Sequence, residues 1–406
     1  MLLHALPGVL RLDSSQELIP VFDECETSTQ IPDSIYQKAA IAGVLMPTAA
    51  GAQIPQEWQG RFPIIGGIAA HEWDGFHDFI LHDELGRVGG IGFENGLLGG
   101  TTLCLPVIQQ HGSQAVKEAV VPPVLFGQAR ISLAITEPTA GSDVQGLQTS
   151  IQLSKKEGFV VVDGTKKWIT GGMYAKFFLT LAREQSGGFT LIVVPRSNGV
   201  STRHMTMSGS GAAGTAFVEF DQVEVSIQMI VGQRGNGLKY TMSNFNHERL
   251  FIGIQALRCA RICLEDSIGY ALKRETFGKK LIDHPVIRFK VAHMARKVES
   301  LHSWLESLIY QSDALSKQDR DLIMSGPTAT FKAHAGLVLE NVVREAVQIV
   351  GGIGLTRGGR GERIERIWRD VKAITVPGGS EEILLDLGTR RARKVYESQS
   401  KIKASL

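Results

Sequence analysis

The sequence predicts an α+β protein in three consecutive parts: an N-terminal α domain over 1–128, a middle β domain over 129–236 and a C-terminal α-helical bundle over 237–406. Two changes of texture predict it. Apolar residues recur at helical spacing before about residue 128, short β-rich runs parted by Gly, Ser and Asp turns follow, and helical periodicity returns after Gly237. No strand–helix alternation runs through the chain, so a doubly wound parallel sheet is not expected.

In the first part, Ser14 or Ser15 is placed to open a helix through SSQELIPVFDEC, and HDFILHDELGRVG gives a second periodic stretch. The second part reads as strands in GFVVVDGTKKWIT, KFFLTLA, GFTLIVV and GTAFVEFDQVEV. In the third, Ile287, Val291, Met294, Val298, Leu301, Leu305 and Leu308 recur at alternating four- and three-residue steps, the seam of an antiparallel bundle helix or of a subunit contact. Asp283, His284 and Pro285 supply its start, because proline is tolerated where the first-turn N–H lacks a partner anyway. Pro327 is expected to interrupt the next helix, and GGIGLTRGGRG to form a loop with the backbone freedom that Gly gives.

Composition narrows the function. The 43 Lys+Arg and 41 Asp+Glu leave a net charge of +2, with no surplus to drive nucleic-acid binding. No apolar stretch is expected to approach the roughly 20 residues that span a bilayer, and runs such as 120–126 are broken by Pro122 and Pro123, so a membrane protein is not expected. Cys25, Cys104, Cys259 and Cys263 show no zinc spacing, and no metal is expected. Cys259 and Cys263, four apart, read as small core residues on one helical face. The opening MLLHALPGVLRLDSS lacks the charged start and cleavage pattern of a secretory signal and is Arg-poor for a mitochondrial presequence. An intracellular, by default cytoplasmic, setting is expected, with mitochondrial and peroxisomal ones left open.

Two stretches concentrate groups suited to a polar ligand. Ile135–Thr136–Glu137–Pro138–Thr139–Ala140–Gly141–Ser142–Asp143 joins small residues, which let a ligand approach the backbone, to hydroxyls and N–H groups that can bind its polar edge. Further on, Lys167–Trp168–Ile169–Thr170 follows a strand. If strand alternation holds there, Trp168 and Thr170 point to one side, and a planar ring could be stacked and hydrogen-bonded together.

ITEPTAGSD, KKWITGG, KRETFGKKL from Lys273, QIVGG from Gln348 and RDVKAITVPGGSEEI from Arg369 stand in the order and at the spacings found in one enzyme family. The chain resembles the acyl-CoA dehydrogenase family over nearly its whole length after about residue 80. That resemblance implies a barrel-like middle domain, a C-terminal four-helix bundle, bound FAD and a homodimer or homotetramer. It further implies that Ile135 and Thr136 bind the flavin's pyrimidine edge, with Gly141 and Ser142 near the pyrophosphate. Trp168 and Ile169 would flank the ring, and Thr170 would donate toward flavin N5. Arg274, Thr276 and Phe277, with Gln348, Gly351 and Gly352, match the set that holds the neighbouring subunit's FAD, and a guanidinium suits a pyrophosphate. Ser380 and Glu382 join the cofactor set. Pro285 stands where relatives often carry a Gln. No GxGxxG follows a strand and opens a helix, so a Rossmann-type site is not expected.

Dehydrogenation of a thioester requires a carboxylate to take the α-proton while hydride leaves Cβ. Many relatives place that Glu in the loop opening the last helix, where this chain has Gly378. Part of the family, including isovaleryl-CoA and long-chain acyl-CoA dehydrogenases, draws it from an earlier helix in a Glu-Arg-Leu motif. Asn246–His247–Glu248–Arg249–Leu250 matches that motif, which makes Glu248 the expected base and leaves Glu381 in reserve. Ser142, Asn246, Arg249, Gly378 and Gly379 form the expected substrate contacts. Gly378, preceded by Pro377, is expected to vacate volume near Cα and Cβ and so favour a branched or bulky acyl group. An electron-transfer flavoprotein or oxygen would accept the electrons. The alternatives are a flavin oxidase or monooxygenase on the same scaffold and a non-catalytic flavin-binding protein.

Overall fold

The computed structural model describes residues 19–404. Ser14, Ser15 and the opening segment lie outside the described residues. The first part packs helices α1 (Ile19–Ser28), α2 (Asp33–Ile41), α3 (Leu45–Ala50), α4 (Gly75–Leu85), α5 (Ile91–His111) and α6 (Gln114–Leu125). Asp74 starts α4 as its N-cap, its carboxylate accepting from His77 N. α5 corrects one expectation: its 21 residues are long and apolar enough to cross a membrane, but 78% of its most apolar window is buried inside the protein. It is a core helix. Its middle, Asn95–Gly99, is a π-turn, a widening found often at functional sites.

The middle part is one sheet: β1 (Ile131–Ala134), β2 (Ser150–Leu153), β3 (Phe159–Ile169), β4 (Phe177–Glu184), β5 (Phe189–Pro195), β6 (Val200–His204), β7 (Ala216–Ser226) and β8 (Ile230–Val231). The order is β6-β7-β3-β2-β4-β5-β8, with β1 paired to β4. Most pairings are antiparallel; β1 and β2 both run parallel to β4. One face has its own core around Phe178, Ile192, Val218 and Phe220, while Leu179, Leu181, Leu191 and Val193 on the other face join the core of the first part. The sheet is thereby fixed to α5 and its neighbours.

The bundle consists of four long helices, α7 (Gly237–Ala271), α8 (Pro285–Ala314), α10 (Ser325–Val350) and α12 (Glu381–Ala404), with the shorter α9 (Lys317–Ile323) and α11 (Glu362–Thr375). α10 lies centrally, packed on α7, α8, α11 and α12. Six of the seven seam residues of α8 are buried and Val291 is partly so, with His284 at the N-cap and Pro285 in the first turn. The helical break that Pro327 demands falls at Met324, because a proline cannot donate to the carbonyl four residues back. Cys259 and Cys263 are buried free thiols in this core.

Candidate active site

The first wall is held by a buried ion pair that sequence reasoning passed over. Lys166 Nζ donates to Glu137 Oε1 (2.8 Å) and to the carbonyls of Ile135 (3.0 Å) and Leu181 (2.8 Å). Glu137 also accepts from the backbone N–H groups of Gln148 and Thr149. Both side chains are buried, and the pair is fully hydrogen-bonded, which a buried pair requires. Burial lowers the Lys166 pKa to about 8, and Lys166 holds Glu137 below the ordinary carboxylate range against its own burial. The 135–143 segment is thus pinned at Ile135 and Glu137. Thr136 is half-buried and Gly141 and Ser142 lie exposed; a Cβ at Gly141 would meet nothing within 4 Å.

Trp168 and Thr170 do not share a face by strand alternation. Trp168 has φ +58° at a register shift between β3 and β7, and Thr170 lies just past the strand's end. A bulge with left-handed backbone breaks the two-residue period and turns the indole outward, 45% exposed, with Lys167 Nζ 4.4 Å from its ring centre. Thr170 lies against the π-turn of α5, its methyl 3.9 Å from where a Cβ at Gly99 would stand. Ile169 is buried behind them.

The second wall is α7. Glu248, three turns into it, is 6% exposed, and its Oε2 has no hydrogen-bond partner among the described residues. Burial raises its pKa to about 7, against the pull of Arg249, Lys332 and His247. Lys332 on α10, also buried, donates to the carbonyls of Thr375 (2.9 Å) and Gly379 (2.8 Å), fixing the loop that precedes α12. Its own pKa falls to about 8 through burial. The sequence signal for it is a lone Lys in a long apolar helix.

Gly378 lies beside the carboxylate but does not vacate volume. Its φ is +70°, and a Cβ there would meet Ile252 Cδ1 at 2.6 Å, with Glu248 Oε1 at 3.6 Å and Lys332 Cε at 3.8 Å. Ile252 takes the space of a Cβ there, and Glu248 and Lys332 stand at ordinary contact distance from it. Gly379 supplies its carbonyl to Lys332. Arg249 is buried, donating to Asn246 Oδ1 at 3.3 Å, and its Nε has no partner among the described residues. Glu381 and Glu382 open α12 after Ser380, and Glu382 is held below the usual carboxylate range by its own backbone N–H and Ser380.

His247 turns away from Glu248. Its Nε2 lies 3.3 Å from Asp78 Oδ2, and His82 Nε2 lies 3.4 Å from Asp78 Oδ1, a cluster the sequence reading missed. The ligand atoms of the three lie within 4.8 Å, close enough to meet at one ion. Burial works against charge on His82, but the Asp78 and Glu94 carboxylates hold its pKa up to about 9.

Arg274, Thr276 and Phe277 lie on the small hairpin β9 (Glu275–Thr276) and β10 (Lys279–Lys280) beyond the far end of α7, about 35 Å along that helix from Glu248. Arg274 is exposed and Phe277 is 97% exposed at φ +49°. Gln348, Gly351 and Gly352 are exposed at the end of α10. All of these but the half-buried Thr276 lie exposed at the surface of the chain.

Family models described as the N-terminal, middle and C-terminal domains of acyl-CoA dehydrogenase match residues 14–128, 132–223 and 235–392. The acyl-CoA dehydrogenase apdG of Emericella nidulans is 38% identical over 385 residues, covering 93% of this chain and 88% of that one. The chain belongs to the acyl-CoA dehydrogenase family. The acyl-CoA dehydrogenase AFT10-1 of Alternaria alternata is 35% identical over the same shares of each chain. Among solved structures, a probable acyl-CoA dehydrogenase from Mycobacterium abscessus has 30% identity and a TM-score of 0.85, over 96% of this chain and 98% of that one. An acyl-CoA dehydrogenase from Bacillus anthracis complexed with FAD shares the fold, with a TM-score of 0.85 at 22% identity over 98% of this chain and 69% of that one. This is a family of FAD-dependent oxidoreductases, and the residues present fit the cofactor. An exposed indole held outward by strained backbone and an open approach at Gly141 suit a ring and a phosphate tail.

Proposed function

We propose that the chain dehydrogenates an acyl thioester between Cα and Cβ, with FAD as cofactor and Glu248 as the α-proton base. One observation carries the base: a buried carboxylate beside Gly378, with one oxygen that has no hydrogen-bond partner among the described residues and a pKa raised to about 7 by burial. FAD, when bound, supplies the two-electron acceptor for the hydride that leaves Cβ. Ile135, Thr136 and Thr170 would hold the polar edge of the ring, Trp168 its face, and Ser142 the phosphate end. The ionised Glu248 accepts the proton from Cα as the double bond forms. Desolvation makes it a stronger base, while Arg249 and Lys332 keep its charged form accessible near neutral pH. Lys332 also holds the loop carrying Gly378 against the carboxylate.

A base in this position favours α,β-desaturation over the monooxygenase reading, since hydroxylation needs no α-proton base; an oxidase would use the same base and differ only in passing its electrons to oxygen. With the room at Gly378 filled, nothing at that glycine favours a branched or bulky acyl group, and its size is left to the far end of the site. A homodimer or homotetramer is supported by the exposed Phe277, Arg274 and Gln348, which would complete a neighbour's FAD site. An electron-transfer flavoprotein is proposed as acceptor. Anaerobic titration of the purified yellow protein with acyl-CoAs of graded length tests the reading. Bleaching of the flavin absorbance is expected, and a flavin unchanged by every acyl-CoA would overturn it.

A further inference from the structure

Along α7 from Glu248 lies a polar pair, Gln255 and Asn95, that links α7 to α5. Glu248, Ile252 and Gln255 fall at i, i+4 and i+7 on α7 and share one face. Gln255, 2% exposed, donates from Nε2 to Asn95 Oδ1 across a 2.9 Å gap to the π-turn of α5. Asn95 lies beside Gly99, the residue that abuts Thr170. The pair therefore joins the wall carrying the base to the wall carrying the flavin-side hydroxyl, about 10 Å along the helix from Glu248.

A single bond does not satisfy two amides. Each can donate twice and accept at its oxygen, and neither side chain has another hydrogen-bond partner among the described residues. Thr102, two turns along α5 from Asn95, is fully buried, and its hydroxyl has no partner among the described residues. Asn95 is only partly buried, and the remaining amide groups of the pair are not sealed among the buried unpartnered atoms, so they are open to a further polar group.

We infer that Asn95 and Gln255 recognise an oxygen function, a hydroxyl or carbonyl, carried several carbons beyond Cβ of the acyl chain. The inference rests on the dehydrogenation reading above. A group that both donates and accepts can enter the pair and use the amide hydrogens and carbonyl oxygen that remain. A methylene chain of the same length leaves them unmet.

Anaerobic stopped-flow reduction of the holoenzyme by octanoyl-CoA and by 6-, 7- and 8-hydroxyoctanoyl-CoA tests this. At least one hydroxylated chain is expected to reduce the flavin with a kcat/KM higher by one to two orders of magnitude. In Gln255→Leu and in Asn95→Leu, that advantage should collapse while octanoyl-CoA gains. Either variant suffices, provided it retains FAD. Octanoyl-CoA reacting as well as or better than every hydroxylated chain, or a preference unchanged in both variants, overturns the inference and leaves dehydrogenation standing. Bleaching by none of the four overturns both.

Discussion

The two walls of the site are built on opposite plans. The flavin-side wall is local: a nine-residue segment, 135–143, and the end of one strand, exposed and shaped by backbone, with the Lys166–Glu137 pair beneath. The base-side wall is assembled from Glu248, Lys332 and Gly378, on two helices and a loop far apart in sequence, and its charged groups are buried. On the proposed reading, the first wall would bind by shape and the second would work by desolvation. Substitutions beneath the first should therefore act on folding and FAD retention, and those in the second on rate and its pH dependence.

The largest effect on folding is expected at the first wall. Lys166→Met leaves Glu137 buried without its cation and should cost about 3–5 kcal/mol in chemical denaturation, with FAD lost early in the transition. Adding Glu137→Leu should restore much of that stability; a double variant no better than the single would show that the pair does not hold the wall. Next comes Gly378→Ala, where a side chain at φ +70° meets Ile252. A loss of about 1–3 kcal/mol is expected, together with slower flavin reduction as the carboxylate is displaced. A variant with wild-type kinetics would separate Gly378 from the base.

The smallest effect is a shift in pH profile. Reduction should rise with pH through about 7, because only the ionised Glu248 accepts a proton, and fall as the carboxyl protonates below that. Lys332 lowers the Glu248 pKa, so Lys332→Met should move that limb upward by about one pH unit. A profile that stays in place would mean that Lys332 only holds the loop.

The same contrast explains what the sequence disclosed. The first wall was singled out because its residues are contiguous and their types, small, hydroxylated or aromatic, suit a polar ligand. The bulge at Trp168 was not, since strand alternation predicts the opposite geometry and only the pairing with β7 reveals the extra residue. On the second wall Glu248 was singled out through its motif, and the structure buries it, whereas Lys332 was not, because a lysine on a helix reads as solvated until the packing of α7 and α12 around α10 is known. Gly378 was read as open space because a sequence shows a missing side chain but not the neighbours that fill it. α5 was underestimated as an apolar span because Glu94 and Asn95 interrupt it, yet both find places inside the fold.

The central claim, that Glu248 is the base, is tested most directly by anaerobic stopped-flow reduction of Glu248→Gln and Glu381→Gln side by side with one reactive acyl-CoA. Glu248→Gln should retain yellow, FAD-bound protein and lose a factor of about 10² to 10⁴ in the reduction rate, while Glu381→Gln stays close to wild type. Reduction of Glu248→Gln at the wild-type rate, with Glu381→Gln slowed instead, would contradict the account and return the proton transfer to the start of α12.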